Sequence, residues 1–222
     1  MFHLIFEQTD KYSYRDPAAF IKDGVIYLFF TLVENAEDGQ YFYVAESTST
    51  DFIHWSEPII LTEKDNSKNY SSPGNVGKYN GTYYLCLQTY PRPNGETYGN
   101  DDSRIYTMKS KDLIHWDEPE IIMVKGVIPA QDMGRMIDPY ILEENGIFRC
   151  FFKQNGVSFS TSNDLKNWEF QGSTDCGENV CVLKQNGEYL IFHSPENGIG
   201  LLKTKDFKHF EDCGVTTLKQ NK

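Results

Sequence analysis

Apolar and polar residues alternate over short runs along this chain, and the runs come in pairs. The pairs are AAFIKDGVIYLFFT (18–31), NVGKYNGTYYLCLQT (75–89), YILEENGIFRCFFK (140–153) and VCVLKQNGEYLIFHS (180–194). A period of two predicts strands with one buried face. The Asp-Gly or Asn-Gly inside each pair predicts a tight hairpin, because both central residues of that turn need positive φ. A third run follows each hairpin (YFYVAEST, RIYTMKSK, GVSFSTSN, GIGLLKTK), then a short motif ending in an aromatic, then a fourth run. The motifs are DFIHW (51–55), DLIHW (112–116), DLKNW (164–168) and DFKHF (206–210). All three tryptophans of the chain stand at their last position, and Phe210 takes it in the fourth copy. No stretch carries a helical period of useful length.

Four units of four short antiparallel strands predict an all-β fold, a β-propeller. It is expected to form one domain over 1–222, with repeats at roughly 12–63, 70–125, 135–175 and 176–218. The first strand of a propeller unit is innermost, so residues at its start converge on one mouth of the central channel. Counting back from the turn glycines, Asp16 and Asp138 lie eight residues before Gly24 and Gly146, while Glu178 and Ser72 lie nine before Gly187 and Gly81. Three units thus aim a carboxylate at one small region. Gathered acids repel one another and titrate apart. Two carboxyls of unequal pKa about a bond are what glycoside hydrolysis requires. The plainer alternative for Asp16 and Asp138 is a local turn before proline, whereas no proline follows Glu178.

The returning strand of each hairpin places Thr31, Thr89, Lys153 and the 193–195 region near these acids. Lys153 either neutralises Asp138, the plainer reading, or contacts the substrate. His193 is either a partner for a sugar hydroxyl or a satisfied core histidine. Arg15 and Arg135 precede the two aspartates and could steady charge or bind hydroxyls. Tyr14, Phe30 and Tyr90 are candidates for stacking on a sugar ring, with packing as the alternative.

A formal charge of −11 argues against nucleic-acid or anionic-membrane partners, which need a basic face. It leaves a neutral ligand such as a sugar open. Five cysteines without module-like spacing read as reduced thiols, and nothing supplies the further ligands of a zinc site. No metal-ligand set, phosphate-cradling loop or dinucleotide fingerprint is present. No cofactor is expected, although a structural calcium in the channel is compatible with carbonyls and carboxylates converging there. The N-terminus does not read as a signal peptide and no apolar run reaches spanning length, so a cytoplasmic location is expected.

The RDP opening the first unit, the IDP opening the third, the glutamate opening the fourth and the TSTDFIHWSEP and KSKDLIHWDEP segments together resemble a known group. These are the five-bladed β-propeller glycosidases related to glycoside hydrolase family 43, with their levanase and invertase relatives. The resemblance spans roughly residues 12–212. It implies Asp16 as general base, Asp138 as pKa-modulating acid and Glu178 as general acid, in the inverting hydrolysis of an arabinofuranoside or xyloside in an oligo- or polysaccharide. Two features depart from the group. Asn179-Val180 stands where Gly-Pro often follows the glutamate, and four repeats stand where the group has five blades. A missing blade would open the ring, unless the stretches FHLIFEQTDKY and GVTTLKQNK help to close it or a homo-oligomer supplies the rest. A catalytically inactive carbohydrate-binding propeller and a glycoside phosphorylase are the alternative functions.

Overall fold

The computed structural model describes residues 4–217. It contains four antiparallel sheets in chain order, a β-propeller arrangement of four blades. Blade 1 pairs Tyr12–Lys22, Val25–Ala36, Gly39–Ser49 and Ile59–Ile60 in that order. Blade 2 has a split inner strand, Tyr70–Ser71 and Val76–Tyr79, followed by Thr82–Thr89, Ile105–Ser110 and Glu120–Ile121. Blade 3 runs Ile137–Glu144, Ile147–Lys153, Val157–Ser162 and Glu169–Thr174. Blade 4 runs Glu178–Gln185, Glu188–Ser194, Ile199–Thr204 and Glu211–Thr216. One helical turn, Ala130–Met133, lies between blades 2 and 3.

The four turns form as the sequence predicts. Asp23-Gly24, Asn80-Gly81, Asn145-Gly146 and Asn186-Gly187 all have positive φ at both residues. The repeated DxxxW-type motif is a bend rather than a strand. In each copy the aspartate accepts two backbone N–H groups and caps the turn, as Asp112 does for Ile114 and His115. These aspartates are held well below the usual carboxylate range, first by the side chains of His54, His115 and His209 in three copies and first by the backbone N–H of Asn167 at Asp164, so their partners are local.

The aromatic that ends the motif joins blades. Trp116 of blade 2 meets Phe29 of blade 1 edge-on at 5.5 Å, Trp168 of blade 3 packs with Ile105 and Ile122 of blade 2, and Phe210 of blade 4 meets Phe159 of blade 3. Gly74 lets blade 2 approach blade 3, since a Cβ there would lie 1.6 Å from the carbonyl oxygen of Pro139. Three hydrophobic clusters fill the seams 1–2, 2–3 and 3–4. Among the described residues no such cluster joins blade 4 to blade 1. The free face of blade 1 (Leu28, Phe30, Leu32, Tyr43) instead packs with Phe6, Tyr14 and Trp55. The exposure of one repeated position registers this difference. Leu113 and Phe207 are buried to 0% and 5% exposure in the seam before their blades, whereas the matching Phe52 of blade 1 is 63% exposed. Of the two stretches considered for closing the ring, Phe6 covers part of this face, while residues 2–3 and 218–222 lie outside the described residues.

Candidate active site

The inner strand of each blade is interrupted at its start. Pairing with the second strand jumps between Arg15 and Ala18, between Ile137 and Tyr140, and between Glu178 and Cys181. At each jump one residue takes positive φ: Asp16, Asp138 and Asn179, with Ser72 doing so in blade 2. Such bulges re-aim a side chain out of the sheet plane. The register therefore corrects the sequence alignment. Asn179, not Glu178, is the counterpart of Asp16 and Asp138. Glu178 stands one residue earlier, facing Ser194 as Arg15 faces Thr31 and Ile137 faces Lys153.

The three carboxyls nevertheless share one cavity of about 380 Å³, together with Arg15, Arg135, Lys153, Gln88, Tyr90, Tyr98, Phe42, Ser71, Ser72 and Asn179. A second cavity of about 510 Å³, walled by the starts of the inner strands, is also lined by Asp16 and Asp138. The Asp16 carboxylate accepts from Thr31 at 2.9 Å, from Ser72 at 3.2 Å and from its neighbour Arg15 at 3.2 Å. Thr31 in turn accepts the backbone N–H of Ser72 across the seam. Asp138 donates its backbone N–H to the Gln88 side chain of blade 2. Its carboxyl is pushed up to about 7, first by burial and then by the charges of Glu178 and Asp16, against the pull of Arg135 and Lys153.

Several expected placements change. Lys153 forms its ion pair with Glu178, at 2.9 Å, rather than with Asp138, because the second strand of blade 3 abuts the inner strand of blade 4. His193 is buried, its Nδ1 accepts the N–H of Gly177, and its ring fills the space above Gly200. It is a satisfied core histidine, with its pKa lowered by burial, and does not line the cavity. Tyr14 and Phe30 line a crevice on the free face of blade 1 with Leu4, Ile5 and Phe6, and not the cavity of the three acids. Tyr90 does line the acidic cavity, as do Arg15, Arg135 and Lys153. Gln88, Tyr98 and Asn179 were not expected as site residues from the sequence. For Gln88 the available signal was register, since it pairs with Ser71 as Thr31 pairs with Arg15 and Lys153 with Ile137. Among the described residues no group of three His, Cys, Asp or Glu side chains is arranged to hold a metal ion, and no helix is long and apolar enough to cross a membrane.

Residues 6–185 match the family described as glycosyl hydrolases family 32 N-terminal domain. No curated protein sequence matches the chain. Solved structures similar to it include a family 117 glycoside hydrolase of the marine bacterium Zobellia galactanivorans. That match has 17% identity and a TM-score of 0.78, covering 96% of this chain and 73% of the other. An exo-1,5-alpha-L-arabinanase from a bovine ruminal metagenomic library matches at 17% identity and a TM-score of 0.64, over 96% of this chain and 78% of the other. A GH43 protein of Bacillus licheniformis matches at 17% identity and a TM-score of 0.60, over 91% of this chain and 42% of its own. At these identities the structural matches establish the propeller fold.

Proposed function

The chain belongs to the family of glycosyl hydrolases family 32 N-terminal domains, and from that premise we propose that it hydrolyses glycosidic bonds with Asp16, Asp138 and Glu178. The observation that carries this reading is the convergence of these three carboxyls, from three blades, on one cavity of about 380 Å³. Asp16 is fixed by three donors, which suits a base that must point its free oxygen at water. Glu178 is the proton donor to the leaving oxygen, and Lys153, at 2.9 Å, orients it. Asp138, in the same cavity, stays uncharged until the pH approaches 7. Inverting hydrolysis of an arabinofuranoside or xyloside is the reaction proposed, with base and acid on the order of 6.5–9.5 Å apart to admit water.

A second reading exchanges two roles. Because Asp138 is the carboxyl pushed up to about 7, it could be the proton donor, with Glu178 shaping the field. Leaving-group dependence separates the readings. A general acid matters most when the leaving oxygen is basic, so loss of the acid depresses turnover of alkyl and nitrophenyl glycosides but spares dinitrophenyl ones. Glu178→Gln is expected to show this pattern, with Asp138→Asn and Asp16→Asn slow on every leaving group. The pattern appearing in Asp138→Asn instead exchanges the roles. Full turnover in Glu178→Gln and Asp16→Asn alike refutes the site.

A further inference from the structure

The acidic cavity holds as many cations as acids, in a protein whose formal charge is −11. Two of the three cations are engaged. Arg15 is paired with Asp16 at 3.2 Å and Lys153 with Glu178 at 2.9 Å. Arg135 has no ion-pair partner among the described residues. One of its Nη atoms donates to the Tyr90 hydroxyl at 3.2 Å, and its Nε is buried with no acceptor. Of the five N–H groups on a guanidinium, this leaves four without a protein acceptor.

The group is also held in place. The guanidinium lies over the Tyr90 ring, 5.3 Å from its centroid. Tyr90 stacks on Phe42 at 6.0 Å and 19°, and Arg92 covers the Phe42 ring at 5.6 Å. The backbone beneath is clamped by Gln154, whose amide donates to the carbonyls of Met133 and Arg135. A cation fixed on an aromatic face with its fork unfilled is matched to a planar oxyanion. A neutral hydroxyl occupies one N–H, whereas a carboxylate occupies two and cancels the charge.

We propose that Arg135 forms an oxyanion subsite beside the three carboxyls, and that the sugar bound there carries a carboxylate group. This rests on the glycosidase reading for the sugar but not for the anion, since an inorganic oxyanion co-substrate such as phosphate presents the same chemistry. Arg135 lies close enough to Asp138 to oppose the rise of its pKa, so the anion and the reacting bond share one cavity. With Asp138 protonated, the cavity's formal charge becomes positive by one, which favours the same ligand.

Titration calorimetry near pH 6 on the intact chain tests this with galacturonate, glucuronate, arabinose, xylose and inorganic phosphate. A uronate is expected to bind about 10- to 100-fold more tightly than the neutral sugars, the worth of charge-assisted hydrogen bonds. That preference should vanish in Arg135→Met, survive in part in Arg135→Lys and persist in Glu178→Gln. Matching thermal unfolding midpoints exclude a folding defect in Arg135→Met, and Arg135→Lys supplies the comparison if that variant is unstable. Binding of phosphate alone, lost in Arg135→Met, retains the subsite and assigns the anion to a co-substrate. Neutral sugars binding as tightly as uronates, with phosphate unbound, overturn the inference, as does an unchanged preference in Arg135→Met. Uronate binding that depends on Arg135, in a chain that turns over no glycoside, keeps the subsite and removes the glycosidase reading instead.

Discussion

Replacing Asp138 by asparagine should make the protein more stable and less active, and the size of the gain should follow pH. The carboxyl is raised from an ordinary value of 3.8 to about 7, mainly by burial. Below the unfolded value both states are protonated and the group contributes nothing. As pH rises from there, the unfolded chain releases the proton while the folded protein keeps it, so stability falls. The loss saturates once the folded group ionises near 7. Three pKa units correspond to about 4 kcal/mol, and the loss already accumulated near pH 5 is about 2 kcal/mol. Urea unfolding of wild type and Asp138→Asn should therefore differ by about 4 kcal/mol near pH 8 and about 2 kcal/mol near pH 5, with asparagine the more stable throughout. Asp16 and Glu178 are common to both proteins, so the difference isolates position 138. Equal stabilities near pH 8, or a difference independent of pH, would refute the claim that this carboxyl is held in a site that disfavours its charge.

Glu46 is a structural control. It is buried, accepts from the Trp116 indole of the next blade at 3.2 Å and is pushed up to about 7, chiefly by burial. Glu46→Gln keeps an acceptor for Trp116 and should gain stability near pH 8 as Asp138→Asn does, yet leave glycoside turnover within about twofold, as urea melts and initial rates will show. Leu113→Ala, which empties the seam between blades 1 and 2, should cost about 3 kcal/mol. The matching Phe52→Ala on the free face of blade 1 should cost under about 1 kcal/mol; equal losses of melting temperature would mean that this face is covered in solution. Gln88→Leu removes the acceptor for the Asp138 backbone N–H. It should lower turnover about 10-fold or more with a smaller change in KM, because a displaced carboxyl spoils reaction geometry more than binding.

The blades were legible in the sequence because their signals are local. A turn dipeptide needs positive φ at two adjacent residues, and a half-buried strand alternates, so each hairpin announces itself within about fifteen residues. The four turns formed as that signal requires. The three acids were found because a propeller turns equivalent positions into neighbours. Details that depend on a single residue of register were not legible. Bulges place Asn179 rather than Glu178 opposite Asp16 and Asp138, and no pattern of apolar residues reports a bulge at a strand's polar end. Alternation likewise gives Tyr14 and Phe30 a common face without saying that it is the face turned from blade 2.

Contacts across seams were the least legible, and they explain how the site is assembled. Thr31, Gln88 and Lys153 occupy one position on the second strands of blades 1, 2 and 3. Each serves the blade that follows: Thr31 accepts the N–H of Ser72, Gln88 that of Asp138, and Lys153 pairs with Glu178. A sequence shows which strands share a hairpin, but the direction in which successive blades wind decides which neighbour a side chain reaches. Lys153 was therefore assigned to the acid of its own hairpin when its partner belongs to the next. By the same rule Asp16 receives nothing from a preceding blade among the described residues and is held by Arg15, Thr31 and Ser72, from its own blade and the one after. Three donors from its own blade and the one after orient it, so among the described residues the position of Asp16 depends on nothing supplied by blade 4.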